Sequence, residues 1–394
     1  MKAIFKEGSS YRALFLSLIM TAVGYGLYKG ILDNYLAEVV GMTEMDKGIT
    51  EFFRELPGLL LIFILAVLYR YSAEQIYKLG AILMLAGMVM QAIISPVKLL
   101  VIIAICTYSL GDHIQLGMKN TLTLEYAREG AGGQALGYQK AVYEIGTVAG
   151  YLIVMLAFGM AGNSGSALFR PFFAASAVFV AISMVMSLML TGRSETDKEK
   201  NRFYFRKKFF KYYMLEVFYG ARKQVFFTFG PYVLILFYGA NTAVISLLFA
   251  ISAVTCFFLA PLAGKLIDRV GYKPVMIGDT LILVIVCFFY GFAHHLFPMH
   301  IAFLVCCVNY ILDSVISLAS MASNVYVQDL SDSKEEMRAT ISTGISVNHL
   351  ITILIALFGG WIWHTLGIET LFILSAVLGL CNSAYAATIR VKKA

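Results

Sequence analysis

Long apolar runs separated by short polar breaks follow one another from Tyr11 almost to the end of the chain. A helix needs about 20 predominantly apolar residues to cross the hydrocarbon core of a bilayer. Twelve stretches qualify: 11–36, 46–69, 74–95, 97–124, 132–160, 168–192, 208–238, 241–265, 273–293, 299–326, 336–363 and 367–390. The pattern predicts an all-α polytopic membrane protein with twelve transmembrane helices. Its opening, Met1 to Gly24, joins basic residues to an apolar stretch as a signal peptide does. No small-x-small cleavage site follows, and the apolar run continues through Tyr35, so this segment is expected to be the first membrane helix.

The longest polar break is Arg193 to Lys208, RSETDKEKNRFYFRKK, which lies after span six. It predicts two pseudo-symmetric six-helix bundles, 1–192 and 208–394, joined by a cytoplasmic linker at 193–207. The two parts are weakly alike. Span one ends in Asp33-Asn34-Tyr35-Leu36 and span seven passes through Gly230-Pro231-Tyr232-Val233, each followed by a short loop and a long apolar helix. Basic turns then follow, at Tyr77-Lys78-Leu79-Gly80 and at Tyr272-Lys273-Pro274. Internal repeats of this kind build secondary transporters, with the solute site near the midplane at the repeat interface.

Composition agrees. Of 394 residues, 59% are hydrophobic and 14% charged. A soluble domain carries about 25% charged residues, so lipid must solvate much of this surface. The net charge of +7 does not indicate nucleic acid, because the charges sit in loops between apolar runs. One set of loops carries Lys2, Lys6, Arg12, Arg70, Lys78, Arg128, the linker, Lys265, Arg269, Lys273, Lys334, Arg338, Arg390, Lys392 and Lys393. The other carries little beyond Lys47, Lys98 and Arg170. The positive-inside rule then places both termini in the cytoplasm, in the cell membrane. All six cysteines lie in apolar segments without ligand spacing, so free buried thiols are expected. His294, His295 and His300 fall beside one loop with no carboxylate in it, which favours a solvated loop; no metal and no cofactor are expected.

The turn between spans eight and nine reads Gly264-Lys265-Leu266-Ile267-Asp268-Arg269-Val270-Gly271-Tyr272-Lys273. Gly264 would let two helices approach closely, and Asp268 could accept hydrogen bonds from a neighbouring helix N-terminus. Arg269 and Lys273 would hold the turn in the cytoplasm, and Gly271 would permit a tight reversal. The run is similar to the G-x-x-x-D-R-x-G-[RK]-[RK] signature of the major facilitator superfamily. The resemblance implies a secondary active transporter working by alternating access. It also implies a cytoplasmic latch formed by Gly264, Asp268, Arg269, Gly271 and Lys273. The matching turn of the first part, Leu68 to Gln75, lacks both the glycine and the Asp-Arg pair, so the latch would be asymmetric. Span four has Asp112 where the family often has Arg, in R-x-x-Q-G, and Gly117 comes one place late. Span five has Gly137, Gly146 and Gly150 at the spacing of the antiporter glycine motif. Tyr151 stands where that motif has proline, which weakens a drug-antiporter reading and favours plain close packing.

Ionisable residues inside a span are costly and face partners or water-filled space. Lys29 and Asp33 lie four apart on span one, and Glu51, Arg54 and Glu55 share a face of span two. Together these are candidates for an outer gate. Nearer mid-depth are Asp112, His113 and Gln115 on span four, Lys140 and Glu144 on span five, and Arg222, Lys223 and Gln224 on span seven. Asn309 and Asp313 on span ten, with Asn348 and His349 on span eleven, complete the set, and Glu216 lies lower on span seven. In the resembled fold spans one, four, seven and ten line the cavity, so the resemblance implies that Asp33 with Lys29, Asp112, Arg222 or Lys223, and Asp313 converge on central water. Arg222 and Lys223 are about 100° apart on a helix, so one of them would face it fully; the sequence does not say which. Carboxylates and His can be protonated in turn and couple transport to protons. A small polar organic solute, protons, the lipid bilayer and a monomeric state are expected, with no nucleic acid. Gly230-Pro231 is a candidate hinge. No H-E-x-x-H, G-x-S-x-G or Walker-type loop is present, which argues against an enzyme or a primary pump.

Overall fold

The computed structural model describes residues 4–7, 9–68, 70–128, 131–190 and 205–389. Most of the linker, 193–204, and the terminal Arg390, Lys392 and Lys393 lie outside the described residues. Among the described residues the structure is helical, apart from one isolated bridge between Phe5 and Ala127 that ties the chain start to the end of a helix. The helices are α1 (Tyr11–Asn34), α2 (Glu44–Val67), α3 (Ala73–Ile93), α4 (Lys98–Tyr126), α5 (Gly132–Ala161) and α6 (Phe169–Leu188). Then come α7 (Phe210–Leu236), α8 (Thr242–Val270), α9 (Tyr272–Leu296), α10 (Met299–Ile316), α11 (Met321–Leu330), α12 (Lys334–Leu366) and α13 (Ile368–Ala387).

Among the described residues, ten helical segments are long and apolar enough to cross a membrane, with α10 and α11 counted as the single segment Met299–Leu330. The protein is an integral, multi-pass, all-α membrane protein. The helices α2 and α7 are as long as the others but carry more charge. Each of the twelve sequence spans thus coincides with a helical segment to within a few residues.

Two boundaries differ from expectation. The latch motif is not a loop: α8 runs through Val270, because no glycine or proline occurs between Lys265 and Val270, and it stops at Gly271, where φ is +86°. Asp268 and Arg269 therefore ride on the last turn of a helix. Span ten is not continuous either. A 3-10 turn at Ser317–Ser320 separates α10 from α11. There the hydroxyl of Ser320 donates to the Ser317 carbonyl at 2.8 Å and Ser323 donates to Ser320 at 2.9 Å. Serine hydroxyls returning to the backbone compete with the regular helical ladder.

By its internal contacts the chain divides into two compact units. The first comprises Met1–Gly41, Leu56–Asn201 and Asn241–Ala250; the second comprises Met42–Glu55, Arg202–Ala240 and Ile251–Ala394. Within the first, α1 packs on α5 and α6, and α3 packs on α4 and α6. Within the second, α7 packs on α12 and α13, and α9 packs on α10 and α13. The same pairing recurs six spans later.

Small residues make the first unit's central contact. A Cβ at Gly146 would meet Ala22 at 2.8 Å, and one at Gly150 would meet the backbone of Leu27 at 2.7 Å. Gly26 presses equally closely on Thr147. This is the close helix packing expected of span five; Gly137 takes no part, since a Cβ there would stand in open space.

Candidate transport site

In the first unit, Lys29 donates to Asp33 at 2.7 Å along one face of α1. Its ammonium also stands 5.3 Å from the centre of the Phe249 ring. Asp33 is buried, so this pair neutralises a charge that lipid could not solvate.

A second group forms where α4 meets α5. Lys119, which the sequence reading did not single out, stands over the Tyr143 ring at 4.3 Å. Asp112 and Glu144 are both near enough to act on it electrostatically, and Lys140 acts on Glu144. Tyr108, Tyr25 and Tyr28 belong to the same neighbourhood, with ring centres 4.5 Å apart for Tyr28 and Tyr108 and 6.3 Å for Tyr25 and Tyr143. Asp112, Lys119 and Glu144 are half-buried and Lys140 is exposed.

The neighbours of Asp112 do other work. The Nδ1 of His113 lies 2.8 Å from the Ser109 carbonyl oxygen. Gln115 is buried and donates to the Tyr77 carbonyl at 3.3 Å, tying α4 to α3. Its amide is engaged between two packed helices.

In the second unit the two neighbours on α7 differ in exposure. Arg222 is 1% exposed and Lys223 is exposed. The Nη2 of Arg222 donates to Asp279 on α9 at 3.1 Å. Asp313 on α10 is buried and near enough to feel both Arg222 and Lys223. The Arg222 Nε and Nη1 are buried without a hydrogen-bond partner among the described residues. Lower on α7, Glu216 accepts from Ser323 at 3.0 Å and from Asn348 at 3.2 Å, joining α7, α11 and α12. Asn309 returns its amide to the Val305 carbonyl of its own helix at 2.7 Å.

The first turns of α2 belong to this unit and carry a chain of charges. Lys47 donates to Glu51 at 2.8 Å, Glu51 accepts from Arg54 at 2.6 Å, and Arg54 also pairs with Glu55. Glu55 in turn meets His349 of α12 at 3.0 Å. Arg54 lies 5.0 Å from the centre of the Phe227 ring and Lys47 lies 5.5 Å from that of Tyr232. Nearer the start of α2, Glu44 meets His364 of α12 at 2.7 Å. The assignment of Lys47 to a loop is corrected: it is a 1% exposed helical residue whose charge Glu51 neutralises.

Residues 213–393 match the family model for the Major Facilitator Superfamily. The match covers the second part of the chain. Solved transporters superpose along nearly the whole length, which shows a shared fold. The nucleoside transporter NupG matches with TM-score 0.76 and 16% identity, covering 97% of this chain and 99% of that one. A D-xylose-proton symporter matches with TM-score 0.71 and 15% identity, covering 96% of each chain. A POT family transporter in complex with 5-aminolevulinic acid matches with TM-score 0.73 and 11% identity, covering 95% of this chain and 94% of that one. No curated sequence relative matches.

The turn between α8 and α9 carries the signature residues. Gly271 adopts the left-handed backbone that glycine favours, and Lys273 donates to the Ile389 carbonyl at 2.9 Å. Asp268 and Arg269 are exposed. A Cβ at Gly264 would meet nothing within 4 Å among the described residues.

Two buried-site residues were missed by sequence reasoning, Asp279 and Lys119. Asp279 is a carboxylate inside an apolar span, and that alone could have flagged it.

Proposed function

We propose that this protein is a secondary active transporter that moves a small polar organic solute by alternating access, coupled to protons. It would act as a monomer in the cell membrane with both termini cytoplasmic, its two six-helix parts joined by the 193–207 linker. The observation that carries the reading is the set of half-buried ionisable groups where α4 meets α5, placed on a transporter fold. Asp112, Lys119 and Glu144 sit among the rings of Tyr25, Tyr108 and Tyr143. Such a group offers a cation, carboxylates that can exchange protons, and aromatic faces for a ring. The Glu51–Arg54–Glu55 chain serves as the outer gate, and Asp268 with Arg269 as the latch on the opposite side.

A thermal-shift screen tests the reading. Purified protein meets sugars, amino acids, nucleosides, organic anions and lipophilic cations at about pH 5.5 and about pH 7.5. A ligand that binds only the folded state raises Tm with the logarithm of its saturation. A polar organic hit that depends on pH and is lost in Lys119→Met supports the proposal. Hits confined to lipophilic cations contradict the solute class.

A further inference from the structure

His294 and His295 are neighbours on the last turn of α9, where consecutive side chains normally diverge by about 100°. Here they converge. Their ring centres are 3.9 Å apart, and both Nε2 atoms approach one oxygen, Oε1 of Glu369, at 3.2 and 3.0 Å. Glu369 comes from the first turn of α13, so the carboxylate missing from the histidine loop in the sequence arrives through the packing of α9 on α13. We propose that His294, His295 and Glu369 form a binding site for a divalent transition-metal ion of the zinc type.

The spacing suits such an ion. Zinc binds histidine nitrogen and carboxylate oxygen at about 2.0–2.2 Å, which gives tetrahedral ligand edges of about 3.4 Å. The three ligand atoms lie within 4.8 Å of one another. Two imidazoles and one carboxylate select zinc, nickel or cobalt over magnesium and calcium, which take oxygen ligands.

The surroundings fix the donors. Phe237 packs on the His294 ring at 4.7 Å. Gly367, at φ +90°, leaves room for the second carboxylate oxygen: a Cβ there would come within 2.8 Å of Oε2 of Glu369. The Nδ1 of His294 is buried without a hydrogen-bond partner among the described residues. The His295 side chain is 58% exposed, which leaves a fourth position open to water. The site joins two helices of one unit and does not depend on the solute proposed above.

Equilibrium dialysis of tag-free purified protein against Zn2+ tests the site. One bound ion per chain is expected, with affinity falling at least tenfold in His295→Gln and in Glu369→Gln. His300→Gln, an exposed histidine outside the cluster, should bind as the unaltered protein does. Co2+ should give the visible d–d band of a four-coordinate site in the unaltered protein and lose it in Glu369→Gln. Equal Zn2+ binding in all variants, or no Zn2+ bound by the unaltered protein, would leave only His–Glu hydrogen bonds and overturn the proposal.

Discussion

Two groups of charge, one in each unit, are held differently. In the second, Arg222 is 1% exposed and spends one nitrogen on Asp279 of a neighbouring helix. Lys47 and Glu51 are likewise buried as a pair. In the first, the Asp112, Lys119 and Glu144 group is half-buried, set among tyrosines and not closed by short ion pairs among the described residues. A sealed pair is held by a desolvation penalty that is paid as soon as one partner is removed. A half-open group lacks that penalty and can exchange partners. The contrast separates charges that hold helices together from charges able to meet a solute or a proton.

The comparison can be broken at several points. The largest effect is expected from Arg222→Met, which strands Asp279 and should cost about 3–5 kcal/mol of stability. Arg222→Met with Asp279→Leu should recover much of that loss, as read by the melting temperature in detergent. If the single variant melts normally, the pair is not structural. Next comes Lys119→Met: solute uptake should fall at least tenfold while Tm stays within a few degrees, since partly exposed pairs contribute about 1 kcal/mol or less. A large loss of Tm with uptake per folded molecule unchanged would reverse the roles assigned to the two groups.

Asp33→Asn and Asp313→Asn should each weaken gradient-driven accumulation in folded protein; uphill transport at normal rates in both would remove them from the coupling route. Asp268→Asn should shift the accessibility of a cysteine probe on the linker side of the membrane, with little change in Tm. The smallest effect concerns Lys208, whose ammonium is held above its usual range by its hydrogen bond to Asp332 and its contact with Glu336. A raised lysine contributes fully below its unfolded value and loses that contribution only as pH rises through the raised one. Lys208→Met should therefore leave the melting profile between about pH 5.5 and pH 7.5 flat relative to the unaltered protein.

Much of the fold was legible because lipid imposes a length on every apolar run, and Gly271 marks the reversal after α8 without help from tertiary contacts. The 3-10 turn at Ser317–Ser320 was hidden, since serines alone do not break a helix. The site was legible residue by residue but not in its pairings. Asp112 and Glu144 were marked by being charged within spans; Lys119 shares α4 with Asp112, but the link of Glu144 to both needs α4 placed on α5. The Arg222–Asp279 pair lies 57 positions apart, and His364 reaches Glu44 across 320. Local spacing carries no record of such meetings. Lys47 shows the same gap: one charge near a helix start reads as a loop residue until its buried partner is seen.

The most direct measurement is solute accumulation in proteoliposomes under an imposed pH gradient, using the solute picked out by thermal shift. The account predicts uphill accumulation that collapses when a protonophore removes the gradient and that is lost in Glu144→Gln while the protein remains folded. Accumulation indifferent to the gradient, or unchanged in Glu144→Gln, would contradict it.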